Sequence, residues 1–174
     1  MVPHPYKNQN FVVNHFGVAV DNVDKASEWY GKHLGFRRIR RDRTTDRDVD
    51  DTNSPIFKIY GDKLNKVKVA WLSTGNGVGF EIFEFIDPPT EKAEEIKKDW
   101  SLEQQYRRGG YFHLGITAPD PEAVAEKACE DGAVQIGETV DLYDGDKALY
   151  LRDPWGNVVE ILSCSYEQLM GNRE

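Results

Sequence analysis

Val13-Asn-His-Phe-Gly-Val-Ala-Val20 and Tyr111-Phe-His-Leu-Gly-Ile-Thr-Ala118 are two versions of one pattern. Each is a short β-type run with histidine in third place and glycine two residues after it. Each leads through a turn, Asp21-Asn22 or Pro119-Asp120-Pro121, into a segment whose apolar residues recur every three or four positions, the spacing of an amphipathic helix. Those segments, 23–34 and 121–131, stop at Gly35 and Gly132, and glycine is the usual residue just past a helix end. Strands are expected next at 36–41 and 133–140. The far ends of the two stretches also match: Gly79-Phe-Glu-Ile-Phe83 parallels Val158-Val-Glu-Ile-Leu162, so Glu81 answers Glu160. Strands at 66–72 and 147–152 precede them, and Asp153-Pro-Trp-Gly-Asn157 is a strong turn signal.

The chain therefore reads as an internal duplication. The expected class is α+β, with two paired βαβββ modules forming a cup-shaped mixed β-sheet and helices outside. The first module covers 11–87, a linker 88–109, the second module 110–164, and a C-terminal tail 165–174. His15 lies 66 positions before Glu81 but His113 only 47 before Glu160, which gives the first module about 19 extra residues. They fall within 42–65, rich in Asp, Thr, Asn and Arg, and read as a surface loop with one short strand at 56–60. Pro88-Pro89 opens the linker, a polar helix-like segment follows at 90–100, and Gly109-Gly110 closes it as a flexible connector.

Residues two apart on a strand share a face. His15, Gly17 and Ala19 thus oppose Phe16, Val18 and Val20, and His113, Gly115 and Thr117 oppose Leu114, Ile116 and Ala118. Glu81 points away from Phe80 and Ile82, and Glu160 away from Val159 and Ile161. Four ligand-type side chains accordingly face away from the helix layer. Approximate twofold packing of the modules would bring His15, Glu81, His113 and Glu160 to one point. Two carboxylates buried together are costly unless a cation sits between them. Two nitrogens and two carboxylate oxygens suit Ni, Co, Mn or Fe as divalent ions, or an open Zn site. His4 falls in the N-terminal stretch and His33 at a helix end, where a cationic residue is favoured. Glu84 belongs by alternation to the helix side. Arg37, Arg38, Arg40 and Arg41 read as charge protecting an edge strand, or alternatively as a pair reaching an anionic substrate group.

Composition removes whole classes of function. The 174 residues carry 30 acidic and 22 basic side chains, a net charge of −8, which argues against a nucleic-acid partner. No apolar run approaches membrane-spanning length, so no membrane partner is expected. MVPHPYKNQN at the start does not resemble a secretion signal. Cys129 and Cys164 are too few for a disulfide framework and read as two buried, reduced thiols in a cytoplasmic protein.

The combination resembles the vicinal oxygen chelate superfamily, also called the glyoxalase, bleomycin-resistance and dioxygenase superfamily. The resemblance rests on His15 in Asn-His-Phe-Gly-Val, Ala26-Ser-Glu-Trp-Tyr with Leu34-Gly35-Phe36, Glu81 in Phe-Glu-Ile-Phe, His113 in Phe-His-Leu-Gly-Ile, and Asp153-Pro154 through Gly156-Asn157 to Glu160. It implies a divalent metal cofactor held by His15, Glu81, His113 and Glu160. Substrates in such proteins bind through adjacent oxygens, and an enediolate or enolate is stabilised. The ligand set is most similar to that of glyoxalase I, which implies a lyase or isomerase with Glu160 or Glu81 as catalytic base. The alternatives are an Fe(II)-dependent oxygenase using His15, His113 and Glu160, and a non-catalytic small-molecule-binding protein. The partners implied are a small-molecule substrate and a homodimer in which a second chain completes the site. The run Ile82-Phe-Glu-Phe-Ile86 and the 42–65 insertion depart from small bacterial glyoxalase I proteins. Phe83 and Phe85 share the Glu81 face, which suits an aromatic or other bulky substrate.

Overall fold

The structure is a computed structural model that describes residues 11–50 and 53–171. Strand β1 is His15–Ala19, followed by α1 Val23–Leu34, β2 Arg37–Arg38, β3 Arg43–Asp46, α2 Pro55–Tyr60, β4 Lys66–Ser73 and β5 Gly79–Asp87. Helices α3 Ala93–Lys98 and α4 Leu102–Arg107 connect to β6 Leu114–Thr117 and α5 Pro121–Glu130. The chain ends with β7 Val134–Asp141, β8 Lys147–Arg152, β9 Val158–Leu162 and α6 Tyr166–Met170.

Two mixed sheets result, and their strand orders show the duplication directly. One is β1-β5-β4-β2, with β3 also paired to β4, and the other is β6-β9-β8-β7. In each, the first strand runs parallel to the last and the remaining pairings are antiparallel. The helices start and stop where local chemistry dictates. Asn22 accepts the Lys25 amide at the head of α1, and Asp120 accepts the Ala123 amide at the head of α5. Gly35 closes α1 in the left-handed conformation that a side chain would resist.

The helix-bearing faces of both sheets share one core. Val23, Ala26, Trp29 and Tyr30 of α1 meet Phe80 and Ile82 of β5, Ala125 and Ala128 of α5, and Val159 and Ile161 of β9. Each large side chain so buried contributes roughly 1.5–3 kcal/mol. Polar ties cross the same junction. Trp29 Nε1 donates to the Asp131 carbonyl, Trp155 Nε1 to Asp21, and the Tyr30 hydroxyl to the fully buried Asp153 carboxylate. Tryptophan and tyrosine serve here because one ring supplies both apolar area and a donor.

Several local expectations are corrected. Residues 56–60 form part of helix α2 rather than a strand, because Pro55 sits at its first turn and Phe57 is drawn onto Val67 and Val69. The segment after α1 is a strand only at Arg37 and Arg38, and after one more bond, from the Ile39 amide to the Trp71 carbonyl, it bends away. The stretch 101–108 contains helix α4, capped by the Ser101 hydroxyl, and the C-terminal stretch holds α6, whose Leu169 is buried against Ala148, Leu162 and Cys164. Cys164 is buried as expected, but Cys129 is exposed on α5. No helix of the described residues is long and apolar enough to cross a membrane.

Candidate metal centre

The alternation read from the sequence holds on both sheets. Phe80 and Ile82 are buried on either side of Glu81, and Val159 and Ile161 on either side of Glu160, while both glutamates stay part-exposed on the opposite face. The parallel pairing of β1 with β5 puts Gly17 opposite Glu81 and His15 opposite Gly79. Position 79 favours glycine, since a Cβ there would stand 3.0 Å from the His15 Cβ, and one of the two would have to give way. The second sheet repeats this register, with Gly115 opposite Glu160.

Each sheet thus carries one imidazole–carboxylate pair. His15 Nε2 lies 3.5 Å from Glu81 Oε2, and His113 Nε2 lies 3.1 Å from Glu160 Oε2. Because the helix-bearing faces share the core, the faces that bear these pairs are turned away from the junction. Among the described residues, no three His, Cys, Asp or Glu side chains come together as one metal-sized cluster. The fold brings His15 to Glu81 and His113 to Glu160, and leaves the two pairs separate within one chain. A cavity of about 210 Å³ between the halves, bordered by Phe16, Tyr30, Tyr111, Asn157 and Val159, touches none of the four.

The donors suit half a coordination shell apiece. Each pair offers one nitrogen and one carboxylate oxygen within a few ångströms of one another, and neither pair is closed off by a lysine or arginine ion pair to its carboxylate among the described residues. The buried His113 Nδ1 has no hydrogen-bond partner among the described residues, a cost that a water or an ion bound at that atom would offset. A Cβ at Gly115 would sit 3.6 Å from Glu160 Oε2, an ordinary contact distance, so the carboxylate lies directly over this glycine. These features fit a divalent ion bound through imidazole and carboxylate.

Side chains that sequence reasoning did not place as partners surround the pairs. Trp71 Nε1 donates to Glu81 Oε1 at 2.9 Å, and the Arg40 guanidinium lies 4.3 Å above the Trp71 ring. In the second sheet Tyr150 stands directly across from Glu160, and its pKa is pushed up to about 12, by burial first and then by the neighbouring Glu160 carboxylate. Tyr150 also stands edge-on to His113 at 5.2 Å between ring centres. Both partners follow from register, for Trp71 is directly across from Glu81 and Tyr150 from Glu160. Counting back from the turns Thr74–Val78 and Asp153–Asn157 gives both pairings, a signal the sequence did hold.

The insertion and the tail shape the same two faces. Helix α2 lays Phe57 on Val67 and Val69, and Tyr60 approaches Phe83 and Phe85, which stack on each other. Those two phenylalanines share the Glu81 face as expected. The other candidates have structural roles. Glu84 Oε2 accepts the Val23 amide at the head of α1, His33 is buried and pairs with Asp131, and Arg38 pairs with Asp42. His4 lies outside the described residues.

Comparison with known proteins follows the same lines. Residues 12–161 match the family model of the Glyoxalase/Bleomycin resistance protein/Dioxygenase superfamily. A glyoxalase family protein from Bacillus cereus superposes with a TM-score of 0.70 at 18% identity, over 90% of this chain and 95% of that one. A glyoxalase I mutant from Zea mays gives 0.57 at 16% identity, covering 88% of this chain and 45% of the other. A glyoxalase family protein from Enterococcus faecalis gives 0.53 at 20% identity, over 87% and 96%. No curated protein matches the sequence. The superpositions speak for the fold, and the family model spans both repeated halves with all four His and Glu positions inside it: the chain belongs to the glyoxalase/bleomycin resistance protein/dioxygenase superfamily.

Proposed function

We propose that the protein is a divalent-metal-dependent lyase or isomerase of the glyoxalase type acting on a small carbonyl substrate. The observation that carries this reading is the pair of imidazole–carboxylate contacts at equivalent register positions of the two sheets, 3.5 Å and 3.1 Å. Because the two pairs do not meet within one chain among the described residues, a complete four-ligand site is assigned to a homodimer. His15 and Glu81 come from one copy and His113 and Glu160 from a second. A metal bound there supplies Lewis acidity that eases removal of a proton beside a carbonyl.

The chain's own residues perform the rest. His15 and His113 act as fixed donors. Glu160 or Glu81 takes the proton as general base and returns it at the neighbouring carbon. Phe83, Phe85 and Tyr60 form an apolar wall beside Glu81 that keeps water from that side and suits a bulky or aromatic substituent.

Elemental analysis of dialysed protein tests the reading. Wild type is expected to retain a divalent metal and His113→Ala to lose most of it, whereas equal content in both overturns the ligand assignment. Mixing His15→Ala with His113→Ala protein tests the shared site, since a mixed dimer pairs one intact half from each copy. Recovery of bound metal on mixing supports it. No recovery after subunit exchange overturns the shared arrangement.

A further inference from the structure

The cavity of about 210 Å³ between the halves contains none of the four candidate donors, yet it is built from their neighbours. Phe16, Phe80, Leu114 and Val159 all line it. In the chain these residues stand next to His15, Glu81, His113 and Glu160 respectively, and alternation turns each to the opposite side of its strand. One space is thus bounded by the reverse side of both half-sites.

Size and lining specify what would fill it. An apolar cavity of about 150 Å³ is enough for benzene. A space of about 210 Å³ therefore holds one ring with a small substituent. Phe16, Phe80 and Tyr111 give it aromatic walls, and the exposed Tyr111, whose ring lies 5.9 Å from that of Phe16, opens it to solvent. A few polar groups give direction. The Gln105 side-chain amide on α4 borders the cavity and has no hydrogen-bond partner among the described residues. Asn157 spends its side-chain N–H on Asp153, which leaves its oxygen to accept. Strand β1 is an edge strand, and its Val20 amide and Asn14 carbonyl bond to Phe83 and Gly79, so its even-numbered residues turn their backbone groups to β5. Gly17 and Ala19 turn theirs to the open edge, where both border the cavity. No Lys, Arg, Asp or Glu stands among the described residues that line the space, so nothing there would hold or balance a charge.

We infer that this cavity is a second small-molecule site, separate from the metal centre, which takes an uncharged one-ring aromatic molecule bearing an amide or hydroxyl, and that its occupant tightens metal binding by bracing the strands that carry the four donors. A ligand that stiffens a structure lowers the ordering cost met by the next one, and such coupling acts equally in both directions. The effector role rests on the metal-dependent reading above, whereas the site itself does not.

Benzamide, a ring with one amide, is the test molecule. Titrated into wild-type protein and followed by methyl NMR, it is expected to shift Val18, Leu114 and Val159 together. Val18→Phe, which fills the space, should abolish the binding. Gln105→Ala, a change on the short helix α4 that keeps the core intact, should weaken it about 3–10-fold, and melting curves show that each variant is folded. Shifts confined to other methyl groups, or wild-type affinity in Gln105→Ala, overturn the site. Apparent Ni²⁺ affinity is then measured by chelator competition with and without saturating benzamide. A tightening of about 5-fold or more is expected in wild type and none in Val18→Phe. Unchanged Ni²⁺ affinity in wild type overturns the effector role alone. Absence of Ni²⁺ binding by wild type overturns the metal reading and the effector role with it, while the benzamide titration still decides the site.

Discussion

Tyr30→Phe should reveal how far one buried hydroxyl holds the two halves together. Tyr30 on α1 is about 1% exposed, and its ring packs against Phe36, Phe80 and Trp155, contacts that phenylalanine keeps. What is lost is the hydroxyl bond to Asp153, a carboxylate that is completely buried. Asp153 also accepts the Trp155 and Asn157 amides and the Asn157 side-chain N–H, so it is not orphaned by the change. The loss is therefore that of a single hydrogen bond to a charged group, about 1.5–3 kcal/mol. For a chain of this size that corresponds to a fall in melting midpoint on the order of 3–12 °C.

The pH dependence gives the sharper test. Burial raises the Asp153 pKa, and the Tyr30 hydroxyl opposes it by favouring the ionised form. A carboxyl whose folded pKa is raised binds more protons folded than unfolded, so its contribution to stability falls as pH climbs from the unfolded pKa, near 3.9, through the folded one. Removing the hydroxyl raises the folded pKa further and enlarges that fall. The Tyr30→Phe deficit should thus grow with pH across this window and shrink where Asp153 is protonated in both states. Urea unfolding followed by far-UV circular dichroism, at a fixed protein concentration and several pH values, measures it. A deficit below about 0.5 kcal/mol near neutral pH, or one that is no smaller in acid, refutes the reasoning.

Gly156→Ala should destabilise by about 1–3 kcal/mol, because the residue has φ +97° and a Cβ there would stand 2.9 Å from Ile96 Cγ2; a melting curve unchanged from wild type would contradict this. Glu84→Ala should cost about 1 kcal/mol by freeing the Val23 amide at the head of α1, and urea midpoints would show it. Phe57→Ala empties the contact between α2 and the first sheet and should lower stability by about 3–5 kcal/mol, with the loss read from the same titration.

The sequence by itself determined the duplication, the alternation of faces and the four His and Glu positions, because strand periodicity and helix-ending glycines are local properties. His15, Gly17 and Glu81 could be assigned to one face without coordinates, since a strand sends every second side chain the same way. The helix at 55–60 was not legible. Its six residues are short enough for either state, and burial of Phe57 against Val67 and Val69 chose between them. Tertiary structure alone decided that the helix-bearing faces meet, for that depends on long-range ties such as Trp29 to Asp131, Tyr30 to Asp153 and Trp155 to Asp21. Once those faces meet, the faces carrying His15–Glu81 and His113–Glu160 must look outward. Periodicity fixes which way a side chain points from its own strand, and only the packing of one sheet on another fixes what it points towards.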